Sequence, residues 1–74
     1  MITEKDKALG FMIDICKEAE SREYESILAE IIRSVDPEVI RSFYYGSYEP
    51  FEDATDDNDW LWDFTEAAAD ELEL

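Results

Sequence analysis

The chain has 74 residues and a formal net charge of -15, from 21 Asp and Glu against six Lys and Arg, and it contains no His. This length predicts one small acidic domain over residues 1–74. The charge disfavours direct binding to nucleic acid or to an anionic membrane surface, because both would repel the protein.

Cysteine content and hydropathy predict a cytoplasmic protein. Cys16 is the only cysteine, which excludes an internal disulfide and is typical of a reducing compartment. The run over residues 1–7 is too charged for a signal peptide, and no apolar run approaches the ~18 residues that a membrane-spanning helix needs.

The first predicted helix covers residues 4–19. Thr3, three residues before an acidic side chain, is a typical N-cap, and apolar residues then recur at helical spacing. Phe11 and Ile15 widen the apolar face, so we expect this helix either to be the central helix or to form a homodimer interface. Gly10 inside it is expected to permit a close helix crossing.

Two further helices are predicted in the middle of the chain. Ser21 is the expected cap of a second helix that carries apolar residues at i, i+3, i+4 and i+7 over residues 24–35. Asp36 and Pro37 predict the start of a short third helix, and Gly46 is expected to end it in a left-handed conformation.

An acidic loop over residues 47–58 and a last helix over residues 59–72 complete the prediction. We therefore expect an all-α fold, a small single-domain bundle of three to four helices with an acidic loop before the last one.

The last predicted helix divides into two faces when each residue is advanced by ~100°. A core face of about 80° holds Leu61, Phe64, Ala68 and Leu72. The opposite side carries five carboxylates, named here the acidic stripe: Asp59, Asp63, Glu66, Asp70 and Glu73. Glu71 falls on the apolar side, which predicts either a solvated edge or a basic group against it.

Residues 49–74 contain eleven acidic side chains and no Lys or Arg. Ordinary protein surfaces mix both signs, so we interpret this segment as a binding surface, with a role in solubility as the alternative. Trp62 borders the carboxylates and is either an interface anchor or a cover for residues 50–55. The predicted partner-binding residues are Asp56, Asp57, Asp59, Trp62, Asp63, Glu66, Asp70 and Glu73.

No cofactor, metal site or enzymatic activity is predicted. A calcium loop aligned from Asp53 places Asn58 at its glycine position and Phe64 at its bidentate glutamate position, so the most specific positions fail. Without His the usual catalytic bases are missing, Cys16 lies on the predicted core side of helix 1, and no glycine-rich phosphate loop exists.

In size, charge and the acidic segment over residues 49–74, the chain resembles the small acidic nucleic-acid mimics that phages use against restriction or CRISPR nucleases. This resemblance implies an inhibitor that binds the basic nucleic-acid-binding surface of a nuclease or of another DNA- or RNA-binding protein.

Two alternatives remain open. The helix order and the pair Tyr44 and Tyr45 resemble the small acidic four-helix immunity proteins of bacterial DNase toxins, although Gly46 follows the pair where that family has Pro. A non-inhibitory adaptor or oligomerisation module, self-associating through helix 1, is the other alternative.

Overall fold

Five α-helices make up the fold in the computed structural model, which describes residues 3–74. They are α1 Glu4–Cys16, α2 Tyr24–Ser34, α3 Pro37–Tyr45, α4 Glu49–Asp57 and α5 Asp59–Glu71. These described residues form no strand, so the predicted all-α class is confirmed. Within them, no helix is long and apolar enough to cross a membrane. Two residues of the charged run over residues 1–7, Met1 and Ile2, lie outside the described residues.

Helix α1 begins as predicted and ends earlier. The Thr3 side chain accepts a hydrogen bond from the backbone N–H of Asp6, whose carboxylate accepts one from the N–H of Thr3, which closes a capping box. The helix ends at Cys16, because the chain tightens into turns in which the N–H of Ala19 reaches the Cys16 carbonyl at 3.1 Å. The predicted end at residue 19 was therefore wrong.

The next two helices differ in how well their starts were predicted. Helix α2 begins at Tyr24 after Glu23, and the predicted cap Ser21 instead donates its hydroxyl to the Glu18 carbonyl at 3.1 Å. Helix α3 begins as predicted, since the Asp36 carboxylate accepts the N–H of Glu38 at 2.8 Å and Pro37 follows it.

The segment over residues 47–58 was predicted as an acidic loop, and this was wrong because most of it is α4. Pro50 lies in the first turn, where its missing N–H has no intrahelical partner to lose. Phe51 is only 2% exposed and stacks on Phe43 of α3 with ring centroids 4.8 Å apart. Ala54, one turn later, also packs against the core. Tertiary burial of this one apolar edge therefore holds an otherwise polar helix in place.

Gly10 does not have the predicted role, and Gly46 ends α3 as predicted but in a different conformation. A Cβ at Gly10 would meet no described atom within 4 Å, so no helix crosses closely there. Gly46 has a φ of -92°, which is not left-handed, but a Cβ at this position would collide with the Ser42 carbonyl oxygen. Gly46 is thus required by a close backbone approach.

Helix α5, rather than α1, is the central helix, because it contacts all four others and packs most extensively on α3. Its buried residues are Leu61, Phe64, Thr65, Ala68 and Ala69. The buried face is wider than predicted because helices pack on both of its sides. The Thr65 hydroxyl donates to the Leu61 carbonyl at 2.7 Å, so this buried polar group is satisfied. Ile15 of α1 is 4% exposed and packs inside the monomer.

Candidate protein-binding surface

Four residues of the acidic stripe lie exposed on α5, opposite the side that packs into the core: Asp59, Asp63, Glu66 and Asp70. At ~1.5 Å per residue they span about 16 Å along the helix axis. Since the buried face of α5 is fixed by the four other helices, these carboxylates are held on a rigid element rather than on a loop.

Asp56 and Asp57 adjoin the N-terminal end of the acidic stripe. They are exposed in the last turn of α4, and Asn58 alone separates that helix from α5. The Asn58 side chain accepts the N–H of Trp60 at 3.1 Å, which caps α5 and fixes the corner between the two helices. The fold therefore brings the carboxylates of the supposed loop next to Asp59.

Glu73 does not follow the helical position assigned to it. Its φ of 57° is left-handed, and it lies beyond the end of α5. Its N–H bonds to the Asp70 carbonyl at 3.2 Å, and the N–H of Leu74 bonds to the Ala69 carbonyl at 2.9 Å. This is a Schellman ending, so helical arithmetic no longer applies to Glu73.

Trp62 forms one border of the acidic stripe. Its ring is 39% exposed and stacks on Tyr44 of α3, with centroids 5.4 Å apart. It also lies 6.4 Å from the ring of Phe51, which belongs to the segment that one prediction had it cover. Trp62 thus packs against α4 and still presents part of its ring to solvent.

Trp60 forms the opposite border, which was not predicted. Its ring is 40% exposed and lies 5.8 Å from the Phe64 ring, on which Tyr24 of α2 stacks at 4.7 Å. The signal was available in the sequence, because Trp60 lies about 40° outside the predicted core sector. A half-exposed tryptophan therefore flanks the carboxylates on each side.

Both borders lie close enough to the acidic stripe for its charges to raise the pKa of a neighbouring tyrosine. Burial raises the pKa of Tyr24, and the charges of Asp63 and Glu66 raise it further. Burial also raises the pKa of Tyr44, with the charges of Glu66 and Asp70 adding to the effect. Negative charge near a tyrosine disfavours the phenolate, so these shifts are expected for rings close to the carboxylates.

Across residues 3–74, no Lys or Arg forms an ion pair with the acidic stripe. Every Lys and Arg precedes α4 in the sequence: Lys5, Lys7, Lys17, Arg22, Arg33 and Arg41. Among the described residues the ion pairs both involve Arg22, which lies 2.8 Å from Glu30 and 3.7 Å from Glu18. The last turns of α4 and α5 contain acids and no base, which opposes the helix dipole at both C-termini.

Across residues 3–74, no group of three or more His, Cys, Asp and Glu is placed to hold a metal ion. Cys16 is buried, and desolvation raises the pKa of its thiol to about 11, so the nucleophilic thiolate is scarce at neutral pH.

Comparison of the chain with protein-family models, with curated proteins and with solved structures gives no match. Function is therefore inferred from the chemistry of the surface itself. That surface can form ion pairs along about 16 Å of one helix and can bury aromatic rings on both sides of it.

Proposed function

We propose that the protein is a non-enzymatic cytoplasmic inhibitor that binds the basic nucleic-acid-binding surface of a nuclease or of another DNA- or RNA-binding protein. In this role it acts as a nucleic-acid mimic of the anti-CRISPR or anti-restriction type. The observation that carries the proposal is the exposed line of carboxylates on core-anchored α5, in a segment without any Lys or Arg.

The charge density of α5 supports this function. The four carboxylates from Asp59 to Asp70 occupy about 16 Å, whereas one DNA strand places about five phosphates in that length, at ~3.4 Å each. A groove lined by Lys and Arg for phosphates would therefore meet a similar number of anions on α5. Asp56 and Asp57 extend this line of charge past the α4–α5 corner.

The aromatic borders can supply binding affinity that exposed charges alone do not. Exposed ion pairs contribute little affinity, because water and salt screen them. Trp60 and Trp62 each have apolar ring surface left to bury, and tryptophan is enriched among the residues that dominate binding energy. Charge would thus speed association and select cationic grooves, and the rings would slow dissociation.

The test compares two triple variants with the unmodified protein. Asp63→Asn, Glu66→Gln and Asp70→Asn together remove three charges from α5. The matched control removes three exposed charges elsewhere, by Asp14→Asn, Glu20→Gln and Glu23→Gln. Each protein is immobilised, exposed to a bacterial lysate, and the captured proteins are identified by mass spectrometry. The captured protein is then purified, and its binding to labelled DNA or RNA is measured with each variant added as competitor.

We expect the unmodified protein and the control to capture the same nucleic-acid-binding protein and to displace its nucleic acid. The α5 variant should compete at least about tenfold more weakly, from the loss of several ion pairs across the interface. Competition should also weaken steeply as salt is raised, because exposed charges are screened within about 10 Å at 0.1 M. Equal competition by both variants would refute the proposal.

The immunity-protein alternative is favoured by one observation. Tyr45 is 62% exposed, the most exposed of the large hydrophobic side chains, and its hydroxyl donates to the Leu74 carbonyl at 2.7 Å. Its ring packs edge-on against Tyr44, beside the Trp62 border. If the target is a DNase toxin, Tyr45→Ala should abolish neutralisation of that nuclease. An unchanged neutralisation by Tyr45→Ala would remove this alternative.

A further inference from the structure

A groove of about 420 Å³ lies where α2 meets the C-terminal end of α5. It is lined by Tyr24, Glu25, Leu28, Ala29, Ile32 and Glu71. Leu28 and Ile32 are half-buried and present apolar surface to the groove, and the half-exposed Tyr24 also lines it. None of these residues belongs to the acidic stripe, and the groove adjoins the Trp60 border through Tyr24, which stacks on Phe64.

The charged residues that line this groove are both acidic. Glu25 and Glu71 are exposed, and neither forms an ion pair with any Lys or Arg in the described part of the chain. Glu71 is the carboxylate that helical arithmetic places on the apolar side of α5. The sequence predicted a solvated edge or a basic group against it. It is exposed, and no Lys or Arg within residues 3–74 lines the groove with it.

The negative charge of the groove and the symmetry of a homodimer limit which molecules can bind there. Nucleic acid and anionic lipid would meet two carboxylates and be repelled. A second copy docked isologously would bring Glu25 and Glu71 of both protomers together around one apolar patch, which is also repulsive. A partner segment with apolar side chains could pack on Leu28 and Ile32, and Lys or Arg beside those side chains could pair with the two carboxylates of the groove.

We propose that this groove binds a cationic amphipathic helix of a partner protein. The apolar side chains of that helix pack on Leu28 and Ile32, and its Lys or Arg side chains pair with Glu25 and Glu71. Tyr24 adds a ring face on which one of the cations can stack. The proposal does not require the partner to bind nucleic acid, so it stands apart from the function of the acidic stripe.

The probe is a synthetic helical peptide of about 18 residues made of Leu and Lys, with Leu at i, i+3, i+4 and i+7. A second peptide has the same composition in an order that gives no apolar face. Both are titrated into isotope-labelled protein while methyl signals of Leu28, Ala29 and Ile32 and amide signals of Asp59 and its neighbour Asp57 are followed by NMR. The methyl signals report the groove, and the amide signals report nonspecific attraction to the acidic stripe.

One variant blocks the groove without removing core atoms. Ala29 is exposed and lies four residues after Glu25, so Ala29→Arg places a long side chain over the groove and adds a favourable i,i+4 pair. Gly10→Arg is the matched control, because it adds the same cation on α1 where no described atom lies within 4 Å of the new Cβ. Circular dichroism verifies that both variants keep the fold.

The amphipathic peptide should give saturable methyl shifts in the groove, and the reordered peptide should shift only the amides of the acidic stripe. Ala29→Arg should weaken the methyl response about tenfold, and Gly10→Arg should change it less than about twofold. Three results would each overturn the proposal: equal methyl shifts with both peptides, an unchanged affinity of Ala29→Arg, or methyl shifts that depend on protein concentration without peptide. The last result would assign the groove to a second copy of this chain.

Discussion

Neutralising the middle of the acidic stripe should stabilise the free protein. Asp63→Asn, Glu66→Gln and Asp70→Asn remove the like-charge pairs 59/63, 63/66 and 66/70, which lie three or four positions apart on α5. Each such pair destabilises a helix by about 0.2–0.5 kcal/mol, so their loss is worth about 0.6–1.5 kcal/mol. Asp70 also opposes the helix dipole in the last turn, which adds about 0.3 kcal/mol or more. The total corresponds to a rise in Tm of at least about 4 °C for a domain of this size.

The measurement is thermal and urea unfolding, followed by circular dichroism at about 0.01 M and about 1 M salt, where the screening lengths are about 30 Å and 3 Å. The gain should be largest at low salt, and the unmodified protein should itself become more stable as salt is raised. The variant at Asp14, Glu20 and Glu23 has the same change in formal charge away from α5 and should gain less.

A loss of stability on neutralising Asp63, Glu66 and Asp70, or a gain that does not change with salt, would refute this reasoning. A loss would mean that these carboxylates stabilise the fold, and a gain that does not depend on salt would mean that charge repulsion is not its cause. In either case the acidic stripe would lose its interpretation as a surface kept for a partner. The same substitutions are expected to stabilise the free protein and to weaken its complex. Opposite effects on the stability of the free protein and on the affinity of its complex are typical of a binding surface.

Three further predictions concern single positions. Gly10→Ala should raise the free energy of unfolding by about 0.5–1 kcal/mol, whereas Gly46→Ala should lower it by about 1–3 kcal/mol through its backbone clash. Urea titration measures both, and equal effects would contradict the packing at the two glycines. The Tyr48 hydroxyl donates to Asp6, and that bond, with those from Thr3, lowers the pKa of Asp6 below its usual 3.8. The resulting stabilisation of the folded state is present above pH 3.8 and is lost as the pH falls through the lower folded pKa of Asp6. The difference in the free energy of unfolding between the unmodified protein and Tyr48→Phe should therefore shrink in acid. A difference that does not depend on pH would contradict this prediction. Cys16, buried and with its pKa raised to about 11, should resist a thiol reagent at pH 8 until urea unfolds the protein, and rapid labelling of the folded protein would show that it is not buried.

Helix α5 could be predicted from the sequence because its own residues specify it. Apolar side chains recur at a clear helical period, and their number is sufficient to fix the buried side. Helix α4 could not be predicted in the same way. Apart from Phe51 and Ala54, its residues are mostly acidic, and its order depends on packing against α3 and α5, which periodicity does not report.

The candidate site also has a part that could be predicted from local sequence and a part that depends on tertiary packing. Counting residues along α5 found the exposed carboxylates from Asp59 to Asp70, because a regular helix fixes their directions. The count failed for Glu73, where the helix ends in a left-handed residue. It placed Trp62 beside the carboxylates, but it could not identify the rings that pack on Trp62, because Tyr44 and Phe51 belong to α3 and α4. The residues that surround a helix belong to tertiary structure.

The placement of Trp60 and Trp62 makes the protein its own spectroscopic probe. They are the two tryptophans of the chain, and they lie on opposite sides of one helix. Trp60→Phe and Trp62→Phe therefore give proteins whose fluorescence reports a single side of α5. A partner centred on α5 would exclude water from both tryptophan rings and shift the emission of both variants to the blue. A partner that lies to one side would shift the emission of only one variant. The direction from which a ligand approaches can thus be measured in solution without attaching a label.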